Sequence, residues 1–246
     1  MALLDLEEVT VRFGGKIAVD GVEFSAEAGH VTALIGPNGA GKTTLFNVIT
    51  GLQPPTRGRV VLDGKDLSGR PPHKRARDGI ARTFQRLELF RVLSARENVL
   101  VGAEVRKSWS RDKFDTHAEV QRLLDLVGLT DVADQRVDAL PTGQARLVEL
   151  ARALATQPRL LLLDEPASGL DESETGQFGE LLRELAAGGM AVLLVEHDVS
   201  LVMAASDNVH VLDFGRIIAS GPPEEIRTNQ AVLEAYLGTT ATKEAG

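Results

Sequence analysis

Residues 3–12 alternate, with Leu4, Leu6, Val9 and Val11 on one side, which predicts an edge strand. Residues 19–24 and 60–62 predict further short strands, the second ending at the turn signal Asp63-Gly64. Residues 31–35, 160–163 and 191–195 are apolar without interruption, as parallel strands covered on both faces should be. Residues 80–84 predict one more strand. Helical spacing shows in Leu45, Phe46, Val48 and Ile49, a stripe that Gly51 ends. Ser94-Ala95-Arg96-Glu97 matches a capping box and opens a helix through about Val101. Leu123, Leu124, Leu126 and Val127 predict a helix that stops at Gly128. Residues 143–156 predict another, ended by Pro158, and residues 174–187 a third, closed by Gly188-Gly189. A charged stretch, 104–117, holds the only tryptophan, Trp109. The tail from Thr239 onward is small and polar and reads as disordered.

Strands alternating with helices imply an open α/β sheet, and such sheets bind ligands beyond the carboxyl ends of their strands. The residues after each strand therefore define a candidate site. After 31–35 comes Gly36-Pro37-Asn38-Gly39-Ala40-Gly41-Lys42-Thr43-Thr44, which fits G-x-x-x-x-G-K-[ST] between a strand and a helix. Its glycines let successive N–H groups turn inward toward a phosphate, and the helix N-terminus adds partial positive charge. Lys42 reaches the β/γ-phosphates, and the Thr43 hydroxyl suits Mg²⁺. The chain is thereby expected to bind a nucleoside triphosphate.

After 80–84 comes Gln85, after 160–163 come Asp164 and Glu165, and after 191–195 come Glu196 and His197. This inventory suits Mg²⁺-assisted hydrolysis of a phosphoanhydride by water. Asp164 is a hard oxygen ligand for Mg²⁺, directly or through water. Glu165 is placed to accept a proton from the attacking water. His197 can bond the γ-phosphate and orient water and Glu165, and Gln85 can sense both metal and water. Alone, the Asp-Glu pair reads equally well as a helix cap with a solvated neighbour, and His197 more readily as structural. The phosphate loop in the same chain decides for function. His30, His73, His117 and His210 share no ligand spacing and read as structural or surface groups.

Composition narrows the class. The chain has 246 residues, 43% hydrophobic and 25% charged, enough for a full core. Aromatics are only 4%, so Leu, Val, Ile and Ala must fill it. No cysteine is present, which excludes disulfides, thiolate metal sites and cysteine nucleophiles. A net charge of −8 argues against a general nucleic-acid binder. The acidic N-terminus has no secretory pattern, and no apolar run is long enough to cross a bilayer.

Leu140-Pro141-Thr142-Gly143-Gln144 precedes Asp164. With the phosphate loop, Gln85, Leu163-Asp164-Glu165-Pro166, Ser168-Gly169-Leu170-Asp171 and His197, it resembles the ATP-binding-cassette family from about Leu3 to Gly238. The resemblance implies an α/β P-loop NTPase (RecA-like) core with an antiparallel β subdomain and an inserted α-helical subdomain. Residues 1–88 and 157–246 would form the core and β subdomain, and 89–156 the helical one. It implies ATP and Mg²⁺ as ligands, with Thr43, Gln85 and Asp164 at the metal and Phe13 stacked on adenine. It implies a head-to-tail dimer, with an identical or paralogous partner, in which Thr142, Gly143 and Gln144 of one chain meet the other's nucleotide. Here Pro141 replaces the usual serine and Thr142 a glycine; Thr142 can supply the lost hydroxyl. Weaker ATP-driven dimerisation is expected.

Arg82-Thr83-Phe84-Gln85, Glu97-Asn98-Val99 and Glu234-Ala235-Tyr236-Leu237-Gly238 look closest to ATPase subunits of branched-chain amino-acid importers. Lipopolysaccharide-export, urea and amide transporters share much of this pattern. Non-transport ATPases of the same fold, and weakly hydrolysing regulatory modules, are the other classes. The resemblance implies transmembrane permease subunits as partners and a peripheral place on the cytoplasmic face of the membrane. Their contact would be a groove lined by Leu87, Leu89 and Phe90. Arg70, Lys74, Arg75, Arg77, Arg82, Arg86, Arg91 and Arg96 make residues 70–96 basic, mostly a solvated, partly salt-bridged surface.

Overall fold

The computed structural model describes residues 2–241, with side chains through Tyr236. In chain order the elements are β1 (Ala2–Phe13), β2 (Lys16–Glu27), β3 (Val31–Ile35), α1 (Lys42–Thr50), β4 (Arg57–Leu62), β5 (Lys65–Asp66) and α2 (Pro72–Arg77). Next come β6 (Ile80–Arg82), α3 (Ala95–Lys107), α4 (Thr116–Leu126), α5 (Thr142–Leu154), β7 (Leu160–Asp164) and α6 (Glu172–Ala187). The last are β8 (Ala191–Val195), α7 (Val199–Ala205), β9 (Asn208–Asp213), β10 (Arg216–Gly221), α8 (Pro223–Arg227) and α9 (Gln230–Ala241).

Two sheets result. One is antiparallel, in the order β2-β1-β4-β5. The other runs β10-β9-β3-β8-β7-β6, parallel except for β10. The parallel strands separate two cores. Leu160, Leu162, Leu193 and Val195 face a core shared with α1 and the antiparallel sheet, through Leu45, Phe46, Leu4 and Val11. Leu161, Leu163, Val192 and Leu194 face the opposite way, onto α3 to α6, through Val99, Leu124, Val148 and Phe178. With a core on each side, alternation disappears from the sequence and the strands read as apolar throughout. Truncating one such leucine, Leu162→Ala for example, costs about 2–5 kcal/mol.

Helix starts follow their caps. The Ser94 side chain accepts from Glu97 N–H while Glu97 accepts from Ser94 N–H, the reciprocal pair expected of a capping box. Asp171 and Glu174 repeat it at α6. Asp115 caps α4 seven or more residues before the apolar stripe that predicted it.

Three expectations need correction. β1 is not an edge strand: it lies between β2 and β4, and its alternation reflects one solvated face. α3 runs on to Lys107, because Val99, Gly102 and Ala103 stay buried against α5 past the expected end. There a Cβ on Gly102 would collide with the Arg152 carbonyl oxygen. Residues 239–241 belong to α9, so the tail expected from Thr239 is helical there; its remainder lies outside the described residues.

Candidate functional site

The phosphate loop joins β3 to α1. Gly36, Gly39 and Gly41 all hold positive φ, at 149°, 82° and 114°. A Cβ on Gly36 would strike the Leu212 carbonyl, and one on Gly41 the Ala18 carbonyl. Gly41 begins α1 without a side-chain cap, so the first N–H groups of the helix remain for an anion. Lys42 is buried and its Nζ donates to the carbonyls of Gly36 (2.6 Å) and Pro37 (3.0 Å), bracing the loop from within. Burial lowers the Lys42 pKa, while the nearby carboxylates Glu165 and Asp164 act to raise it.

Three strand ends meet over this loop. Gln85 Nε2 donates to Glu165 Oε2 at 2.8 Å, and His197 Nε2 lies 2.9 Å from Glu165 Oε1. Glu165 occupies a left-handed backbone conformation, φ 50°, uncommon for a non-glycine residue. Its N–H donates to the Val195 carbonyl, which ties the end of β7 to the end of β8. Arg146 of α5 donates to the carbonyls of Phe84 (3.0 Å) and Gln85 (2.7 Å), fixing the Gln85 backbone from the helix that carries residues 142–144.

A cleft of about 720 Å³ is lined by Phe13, Asn38, Gly39, Gly41, Lys42, Thr43, Thr44, Gln85, Glu165 and His197. Ten candidate residues from five segments thus share one space. Gly36 and Asp164 are not in its lining; Asp164 is buried. Thr142, Gly143 and Gln144 are not in it either. Thr142 is exposed at the start of α5, and Gly143 and Gln144 line a separate cleft of about 380 Å³ beside Glu174.

The oxygen donors suit Mg²⁺: the Thr43 hydroxyl, the Asp164 carboxylate and the Gln85 amide oxygen, whose nitrogen is already given to Glu165. No group of three His, Cys, Asp or Glu able to hold a metal exists among the described residues.

An "ABC transporter" family model matches residues 19–168, and a "Branched-chain amino acid ATP-binding cassette transporter" model matches residues 216–242. The chain belongs to the ABC transporter family. The high-affinity branched-chain amino acid transport ATP-binding protein BraF of Pseudomonas aeruginosa is 42% identical, over 96% of this chain and 98% of its own length. A nucleotide-free ATP-binding cassette from an ABC transporter superposes with a TM-score of 0.87 at 33% identity, covering 96% of this chain and 99% of that one. A dimeric post-hydrolysis cassette bound to ADP and Pi gives a TM-score of 0.79 at 26% identity, covering 89% and 98%.

As an ABC cassette, the chain is the ATP-binding ATPase subunit of a transporter. No helix among the described residues is long and apolar enough to cross a membrane. The cassette also holds features that sequence reading missed. Phe214, 89% exposed at a tight turn with φ 41°, lines the Lys42 cleft, and its sequence signal is no stronger than one apolar residue before Gly215. Phe13, which sequence reading did single out, is 52% exposed on the same cleft. Buried Glu196 accepts from the N–H groups of Ala167, His197 and Asp198, so it shapes the loop that presents His197. Burial pushes its carboxyl pKa up against the pull of those bonds.

The basic stretch is part surface and part internal: Lys74, Arg77, Arg86 and Arg91 are exposed, and the other four are held by partners. Arg75 is buried and donates to the carbonyls of Val48, Ile49, Leu67 and Arg70. Arg70 pairs with Asp78, Arg82 with Asp164, and Arg96 with Asp134. The expected groove is divided. Leu87 and Leu89, half-buried against the helical core, line a cleft of about 690 Å³ with Arg86, Glu88, Arg91 and Arg146, whereas Phe90 lines a separate apolar groove of about 440 Å³ with Leu52, Phe84 and Val105.

Proposed function

We propose that the chain hydrolyses ATP at Lys42 to drive an importer of branched-chain or related amino acids. The observation that carries this reading is the Gln85–Glu165–His197 cluster standing over the phosphate loop. Phe13 stacks on the adenine, and the α1 N-terminus with Lys42 holds the phosphates. Glu165 takes the proton of the attacking water, while Gln85 and His197 hold its two oxygens. Thr43, Asp164 and Gln85 would hold Mg²⁺, which supplies charge neutralisation on the β- and γ-phosphates.

One chain carries Lys42 inside its large cleft and Thr142 exposed outside it. Residues 89–156 then act as a helical subdomain that offers Thr142, Gly143 and Gln144 to the nucleotide of a second copy or paralogue, head to tail. The groove of Leu52, Phe84, Phe90 and Val105 receives the permease, on the cytoplasmic face of the membrane. The substrate reading is supported by the 42% identity to BraF and the C-terminal family match.

The test is uptake of labelled leucine by cells lacking this gene. Restoration by the wild-type chain and not by Glu165→Gln is expected. Normal leucine uptake in the deletion would overturn the substrate, and equal rescue by both chains would overturn the role of Glu165.

A further inference from the structure

Arg82 ends β6, three residues before Gln85, yet its side chain turns to Asp164 rather than to solvent. Its Nη2 donates to Asp164 Oδ2 at 2.7 Å, and the two side chains are 6% and 5% exposed. Its Nη1 donates to Asn47 Oδ1 of α1 at 2.6 Å. The guanidinium carbon lies 5.3 Å from the centre of the Phe46 ring and 4.8 Å from that of Phe84. One planar cation therefore joins the phosphate-loop helix, the acid strand β7 and the strand that leads to Gln85. Two aromatic rings and two hydrogen bonds fix its place, which a flexible ammonium would not reproduce.

Asp164 stands among more than one cation, because its charge also acts on Lys42. A carboxylate released from Arg82 would be drawn toward that lysine and away from a metal beside the phosphates. We infer that Arg82 is a positioning residue of the metal site: it holds one oxygen of Asp164 and keeps the other for a nucleotide-bound divalent cation. The inference rests on the reading of Asp164 as a Mg²⁺ ligand. A buried ion pair that served stability alone would not make Mg²⁺ dependence sensitive to the shape of the cation.

The test measures equilibrium binding of a fluorescent non-hydrolysable ATP analogue to the full chain, in EDTA and across a Mg²⁺ titration. Arg82→Gln is expected to raise the Mg²⁺ concentration for half-maximal effect by about 10-fold or more, as loss of a metal ligand's partner does. Affinity in EDTA should stay within about 2-fold, since no phosphate contact is removed. Arg82→Lys should fall between, keeping the charge without the two-way bridge. Thermal melting reports folding, and if Arg82→Gln does not fold, Arg82→Lys and Asn47→Ala carry the test. An unchanged Mg²⁺ midpoint, or equal losses with and without Mg²⁺, overturns the role of Arg82. A wild-type chain that binds the analogue without regard to Mg²⁺ overturns the metal reading of Asp164 instead.

Discussion

His197 Nε2 and Glu165 Oε1 are 2.9 Å apart, and the imidazole reaches the carboxylate from a different strand end. A base held at both oxygens loses little orientation entropy before it meets water, which is what a proton acceptor requires. Glu165→Gln keeps size and hydrogen bonding but not basicity. Phosphate release should fall about 10²–10⁴-fold, with ATP affinity preserved in an equilibrium binding assay. His197→Ala should lower turnover by about 10–100-fold, the loss expected for one hydrogen bond to a charged group. Wild-type turnover in either variant would remove that side chain from the chemistry.

Phe13 offers an exposed ring to the mouth of the cleft. Stacking of a base on an aromatic ring is worth about 1–3 kcal/mol, so Phe13→Ala should weaken ATP binding about 5–100-fold. Inorganic triphosphate lacks the base, and its affinity should not change. Competition calorimetry with both ligands separates the two; equal losses would place Phe13 outside base recognition.

Thr142 is exposed at the start of α5, and Pro141 before it supplies no side-chain cap. If its hydroxyl reaches the terminal phosphate of a partner's nucleotide, Thr142→Val removes one donor to a charged oxygen. That costs about 1.5–3 kcal/mol and should lower ATPase activity about 10–100-fold. Nucleotide affinity of the isolated chain should be untouched, because Thr142 does not line the Lys42 cleft. Unchanged turnover in Thr142→Val assigns the lost serine's contact to another group.

His210 is buried in β9 between Asn208 and Ser220, with its ring 4.8 Å from that of Phe24. Burial lowers its pKa below the ordinary 6.5. On acidification the unfolded chain takes up this proton first, so stability falls as pH drops from 6.5 toward the folded value. Glu149 and Glu196 have pKa values raised by burial and work in the opposite sense, losing stability as pH rises from 4.5 toward their folded values. The difference between wild type and His210→Gln isolates the histidine: the drop in melting temperature from pH 7.5 to 5.5 should be smaller in the variant. An equal or larger difference would show that His210 titrates no differently on folding.

Much of this site could be read from residue order because its parts sit at strand ends. Gly36 to Thr44 forms a local turn whose geometry the glycines impose, and Gln85, Glu165 and His197 follow strands that continuous apolar runs reveal. What stayed hidden depends on long-range contact. Arg82 looks like one more cation in a basic run, and only folding brings it to Asp164, 82 positions away. Leu87 and Leu89 carry the same apolar signal as Phe90, but folding turns them to a different cleft from the one Phe90 lines. β1 alternates as an edge strand would, since alternation records a wet face and not an unpaired rim.

Arg75 has a mechanical corollary. Its guanidinium occupies carbonyls of the last turn of α1, at Val48 and Ile49, together with those of Leu67 and Arg70. The rear of the helix and the start of α2 are therefore bolted together, and both border the Phe84–Phe90 groove. One wall of the groove is thus built as a single piece with the helix that starts at the phosphate loop.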